Sequence, residues 1–209
     1  MNATTPPGRR VARLHAAASV NEAYLGDSQH ARADVDAALK LDPNRDRAVA
    51  SGLIWRCNGA ERVAAELDRD YPQDTGVRHY YLPAMRAAVA LQGKHPDEAV
   101  EALGELRPPR ELGTLMSLDT IYLRGQAYLR LHNGSAAATE FQKIIDHPGL
   151  VGFYPVGALV HLGLGRAYAL QGDAAKALVA YKEFLTLWKD ADPDIPILKE
   201  AKAEYAKLK

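Results

Sequence analysis

Small and apolar residues recur along this chain at helical spacing, and short polar breaks divide them into pairs. Residues 159–188 read LVHLGLGRAYALQGDAAKALVAYKEFLTLW, an apolar helical face, a Gly-Asp break and a second such face. Gly165, Tyr168, Gly172, Ala177, Tyr181 and Phe184 fall where two antiparallel helices must touch. Gly165 and Ala177 let the backbones approach, and Tyr168 and Tyr181 fill the space beside them. A hairpin of this kind cannot bury its apolar faces alone, so it needs neighbours built the same way.

One such neighbour lies upstream. Ile121 to Tyr128 (IYLRGQAY) aligns with His161 to Tyr168 (HLGLGRAY), and Ala137 and Phe141 match Ala177 and Tyr181. Gly125 and Gly165 stand 40 positions apart (165 − 125). The connection HPGLVGFYP, rich in Gly and Pro, reads as a loop that absorbs the extra length. Three further hairpin patterns precede these. Residues 9–25 and 28–41 flank a Gly26-Asp27 turn and stop at Asp42-Pro43, because proline disfavours helix just before itself. Residues 45–58 and 60–70 flank Asn58-Gly59, with Trp55 and Cys57 read as buried interhelix residues. Residues 77–91 form an alanine-rich helix that Pro83 should interrupt or kink, followed by a helix over 96–106 that Pro96 opens. RPPRELG, residues 107–113, is the clearest break and is read as a long loop between hairpins. After an acidic, Pro-punctuated connector, ILKEAKAEYAKL places Leu198, Ala201, Tyr205 and Leu208 on one face and charges on the other, as a capping helix requires.

The Gly, Tyr, Gly, Ala and Tyr/Phe positions of the two downstream hairpins resemble the tetratricopeptide repeat family, whose unit is roughly 34 residues. That resemblance implies an all-α, right-handed solenoid of about five helical hairpins with a C-terminal capping helix. It divides the chain into a polar lead-in at 1–8, an array over 9–190 and a connector with cap at 191–209. The hairpins then span about 9–44, 45–76, 77–110, 114–150 and 155–190. A narrower resemblance covers most of the chain from about residue 70, and DADPDIPILKEAKAEY is its most specific part. It is to the C-terminal repeat region of large bacterial serine/threonine protein kinases. Arrays of this type also follow winged-helix DNA-binding domains.

Composition narrows the function classes. Lysine plus arginine (26) equals aspartate plus glutamate (26), which removes any long-range pull toward nucleic acid or anionic membrane. One cysteine excludes an intrachain disulfide. No run of about 18 apolar residues is present, so no membrane insertion by this chain is expected. HExxH, GxSxG, the P-loop lysine and protein-kinase motifs are absent, and Gly163-Leu-Gly165 lacks a third glycine and a preceding strand. His30 and Asp34 lie one helical turn apart and are read as a surface pair rather than a metal clip. Neither cofactor, metal site nor catalysis is expected.

What remains is surface. In the family the first helices of successive repeats line a concave groove that holds extended peptides. Carried onto this chain, the groove positions are Asp119, Tyr122, Gln126 and Arg130, then Leu162, Arg166 and Leu170. Arg130 and Arg166 suit a carboxylate or phosphate, and Tyr122 a flat apolar contact. Equally, the arginines serve as solubilising surface residues. The family's carboxylate-clamp lysines and asparagines are missing. The expected function is a non-catalytic protein-interaction scaffold, the sensing or recruiting tail of a bacterial signalling kinase in the narrower resemblance. The alternatives are a self-association module forming a homodimer, and a small-ligand sensor attached to a winged-helix regulator. The expected location is cytoplasmic for a stand-alone chain and extracytoplasmic for the tail of a membrane-spanning kinase.

Overall fold

The computed structural model describes residues 7–41, 60–104, 115–152 and 154–208. Within them the chain is helical and carries no strand. Helices α1 (Pro7–Tyr24) and α2 (Ser28–Leu41) form the first hairpin, and α3 (Ala60–Asp70) follows. A π-helical turn, Val77–Tyr81, runs into α4 (Leu82–Gln92), which pairs with α5 (Pro96–Leu103). Next come the pair α6 (Leu115–Arg130) and α7 (Gly134–Ile145) and the short connector helix α8 (Pro148–Val151). The pair α9 (Val156–Leu170) and α10 (Ala174–Leu187) leads to the terminal α11 (Pro196–Lys207), which packs on α10. Successive pairs touch in chain order, α3 on α4, α5 on α6, and α7 on α9. No described helix is long and apolar enough to cross a membrane. The first helix expected over 45–58, with Trp55 and Cys57, lies outside the described residues, as does the 107–113 break.

Pro83 interrupts its helix in an identifiable way. A proline at this position cannot donate to the carbonyl four residues back, and its ring crowds that carbonyl. The backbone widens to i→i+5 bonding just before it, so the Leu82 N–H reaches the Val77 carbonyl. The α-helix then restarts with Pro83 in its first turn, where a missing N–H costs nothing.

Four hairpin turns share one device. Gly26, Lys94, His132 and Gly172 each take a left-handed φ, at 83°, 64°, 54° and 77°. The residue after each donates its N–H to the carbonyl five back: Asp27 to Glu22, His95 to Ala90, Asn133 to Tyr128, Asp173 to Tyr168. This is the Schellman closure, which satisfies carbonyls that a helix end would leave open. In three of the four, the following Asp or Asn then caps the next helix. Asp27 accepts from the His30 N–H at 3.1 Å, Asn133 from Ala136 at 3.1 Å, and Asp173 from Lys176 at 3.0 Å. Each cap is worth about 1 kcal/mol.

The core follows from glycine meeting aromatic. A Cβ on Gly125 would stand 2.5 Å from the Phe141 ring, and one on Gly163 2.7 Å from its other edge. A Cβ on Gly165 would stand 2.8 Å from the Tyr181 ring. Phe141 and Phe184 are fully buried, and each such side chain contributes about 1.5–3 kcal/mol of burial. Tyr168, expected beside Tyr181 in the interhelix space, is only partly buried and lies beneath the Lys176 ammonium at 5.5 Å. One large cluster joins α6, α7, α9, α10 and α11 to the last turns of α1, while a second joins α2 to α6.

Candidate functional site

The predicted groove positions lie on α6 and α9. Asp119, in the second turn of α6, is 5 % exposed. Its Oδ1 accepts a hydrogen bond from the Tyr24 hydroxyl at the end of α1 and another, at 3.0 Å, from the Tyr154 hydroxyl in the connection before α9. Burial pushes the Asp119 carboxyl up to about 6 against the pull of those two donors. Tyr122 lies one turn further along α6. Its ring meets Tyr24 edge-on at 5.3 Å and tilts on Phe141 at 5.9 Å. Burial pushes its phenol up to about 12, opposed by the Arg166 charge and by a hydrogen bond from Gln126.

Arg166 on α9 is engaged by the terminal helix. Its Nε and Nη2 make a bidentate pair with Glu204, at 2.9 and 2.8 Å, and Nη2 also reaches Glu200 at 3.1 Å. The Tyr181 hydroxyl donates to the same Glu204 carboxylate at 2.8 Å. Burial opposes the charge on both partners. The guanidinium nevertheless keeps a raised affinity for its proton, and the Glu204 carboxyl sits below its ordinary value, because each supplies the other's counter-charge. Burial first, then the hydrogen bond to Glu204 and its charge, raises the Tyr181 phenol.

The remaining predicted positions lie apart from this cluster. Leu162 is 2 % exposed and belongs to the core. Arg130, at the last turn of α6, donates to the Leu91 carbonyl at the end of α4, where a cation also suits the helix dipole. Leu170 is 42 % exposed, next to the α6–α7 turn at Gly134. The structure thus brings together Asp119, Tyr122, Gln126 and Arg166, and covers Asp119 and Tyr122 with the end of α1 and Arg166 with α11. His30 and Asp34 each bond to a different partner. His30 contacts Asp27 at 2.6 Å, and Asp34 contacts His15 at 2.8 Å.

Sequence reasoning missed the residues that do the covering. Tyr24, Tyr154, Glu200 and Glu204 come from three separate segments, and no local spacing relates them to Asp119 or Arg166. It also passed over Arg124, which pairs with Glu140 at 2.6 Å in the interior and donates to the Leu103 carbonyl at 3.1 Å. A cationic side chain inside a mostly apolar stretch, LRGQAYL, was the available signal.

Open clefts lie along α7, α9 and α10. One of about 490 Å³ is lined by Gln142, His161, Tyr168, Val179 and Glu183, with His161 and Glu183 in contact at 2.9 Å. Among the described residues, no group of three or more His, Cys, Asp or Glu side chains is placed to hold a metal ion. Comparison with protein-family models, with curated proteins and with solved structures finds no match for this chain.

Proposed function

We propose that this chain is a protein-interaction module, a right-handed tetratricopeptide-like stack of about five hairpins closed by α11, with no reaction of its own. One observation carries the reading. The same small-on-aromatic contact recurs in register, Gly125 on Phe141 and Gly165 on Tyr181, within hairpins that share the same Schellman turn. Repeated units of this kind align successive first-helix faces into a binding surface, which the end of α1 and α11 cover here at Asp119, Tyr122 and Arg166. The ligand in this reading is a protein or peptide segment lying along α6 and α9, and the module is the recruiting tail of a bacterial signalling kinase. It works in the cytoplasm as a separate chain, or outside it when carried by a membrane-spanning parent.

Arg130 and Arg166 are poor positions for testing this, because both already hold intrachain partners. A photo-crosslinking residue at Leu170 or Gln126, introduced in the source cells, is the better probe, with Val179 on the far side as the comparison. Val179 is 58 % exposed, so accessibility does not favour the inner positions. A partner crosslinked from Leu170 or Gln126 and not from Val179 supports the module. Equal capture from both sides, or none from the inner positions, sinks it.

A further inference from the structure

The face formed by α6 and α9 is occupied by the chain itself. Tyr24 inserts its ring between Tyr122 and Tyr154, edge-on to both, at 5.3 and 5.8 Å with interplanar angles of 80° and 84°. Its hydroxyl ends on the Asp119 carboxylate. Val20, one turn earlier on α1, packs into the same cluster as Leu118, Ile121 and Leu159. This is a built receptor for a phenol, with two aromatic walls and one acceptor at the bottom.

The attachment of α1 to that receptor is slight. Among the described residues, α1 packs along its length on α2, and Ala12, Ala16 and Ala38 form a small cluster of their own. Only its last turns reach α6, the connection before α9 and the start of α11. Beyond Val20 and Tyr24, the contact continues through the Leu25 carbonyl, which accepts from Ile197 at 3.3 Å, and through Gly26 beside Pro196. The same turns carry Asn21 Oδ1 and Glu22 Oε2, buried with no hydrogen-bond partner among the described residues. Dry polar oxygens are a cost that the docked turn bears.

We infer that the α6–α9 face is a tyrosine-reading site whose ligand in the free chain is Tyr24, and that a protein partner engages it by presenting its own tyrosine, one helical turn after an aliphatic residue, in place of α1. The inference rests on the interaction-module reading and names the partner's chemistry. Selectivity follows from the acceptor. Phenylalanine brings no donor to Asp119, so the buried carboxylate keeps only the Tyr154 hydroxyl and the lost bond is penalised. Phosphotyrosine brings a charge of about −1.5 to −2 against a buried carboxylate and is rejected. The site therefore reads tyrosine only while it is unmodified, and phosphorylation of Tyr24 would free the face.

The test uses the full chain and a fluorescein-labelled synthetic peptide of residues 10–27, read by anisotropy. Wild-type chain, with its face filled, should bind the peptide about tenfold more weakly than Tyr24→Ala chain, because the competent state is rarely open. On the Tyr24→Ala chain, peptides carrying phenylalanine or phosphotyrosine at position 24 should each lose about tenfold or more relative to tyrosine. Tyr24→Phe chain, which keeps the aromatic ring, should fall between wild type and Tyr24→Ala, and guards against a folding defect in the alanine variant. Equal binding by wild type and Tyr24→Ala, equal binding of the tyrosine and phenylalanine peptides, or no binding to either chain overturns the inference. Peptide failure with position-specific crosslinks intact at Leu170 or Gln126 removes the tyrosine site and leaves the module. Peptide success without those crosslinks upholds the self-contact and removes the module.

Discussion

The Tyr24 hydroxyl donates to the Asp119 carboxylate across 95 positions of sequence, tying the end of α1 to the second turn of α6. The bond lies between two buried side chains, so its loss is not made good by water. Tyr24→Phe keeps the ring between Tyr122 and Tyr154 and removes only the donor. We expect it to cost about 1–3 kcal/mol in urea unfolding at pH 7. A double-mutant cycle with Asp119→Asn should show a coupling of about 1 kcal/mol or more. Additive effects would mean that the two groups do not support each other.

The same carboxyl makes stability depend on pH. Burial raises Asp119 to about 6 in the folded chain, above the roughly 3.9 of an unfolded aspartate. A raised carboxyl means that the folded state holds the proton more tightly. Its contribution is therefore fully present below about pH 4 and is lost as pH rises through about 6. The groups facing it are Tyr24 from α1 and Tyr154 from the connection before α9; Tyr122 acts on Tyr24, and Arg166 on α9 acts on Tyr122. Other groups titrate over the same range, so the readout is wild type against Asp119→Asn. The stability of wild type relative to that variant should fall by about 2–3 kcal/mol between pH 4 and pH 7.5. A difference that stays flat with pH would show that Asp119 keeps an ordinary affinity for its proton.

Glycine at 125 and 165 is a packing requirement. Replacing either with alanine gains about 1 kcal/mol of helix propensity. It also forces a methyl to within 2.5 Å of Phe141 or 2.8 Å of Tyr181, and overpacking typically costs about 1–3 kcal/mol. The steric cost should win at both sites, more clearly at Gly125. Thermal denaturation should show lowered midpoints, and Phe141→Leu combined with Gly125→Ala should cost less than the two changes summed. A stabilised Gly125→Ala chain would place the α6–α7 contact elsewhere.

The Arg124–Glu140 pair joins α6 to α7 in the interior, with Lys143 on the second Glu140 oxygen at 3.0 Å. Removing one member of a buried pair is worse than removing both, because the survivor keeps a desolvated charge. Arg124→Met should cost about 3 kcal/mol, and Arg124→Met with Glu140→Leu should recover much of it. Chemical denaturation of the four chains of this cycle decides it. No recovery in the double variant would mean that the bond from Arg124 to the Leu103 carbonyl, which ties in the end of α5, dominates.

Helix content and hairpin turns were legible in the chain because their causes are local. Gly26-Asp27 and Gly172-Asp173 combine a residue free to take positive φ with a side chain that caps the next helix, within two positions. Gly165 against Tyr181 was legible because both belong to one hairpin and the helical period brings them together. Pro83 announced a disturbance, although its form, a π-helical turn, depends on how the freed carbonyl is accommodated.

What covers α6 and α9 was decided only by tertiary structure. The repeat pattern marked Asp119, Tyr122 and Arg166 as positions on one face, and nothing at short range stated whether solvent, a partner or the chain itself would meet them. That depends on where the end of α1 and the whole of α11 come to rest, which sums small rotations between successive helices along the chain. The polar groups then sort by burial. Asp119 holds two phenol donors and Arg166 holds Glu204, because charged groups taken out of water must find counterparts wherever the packing has put them.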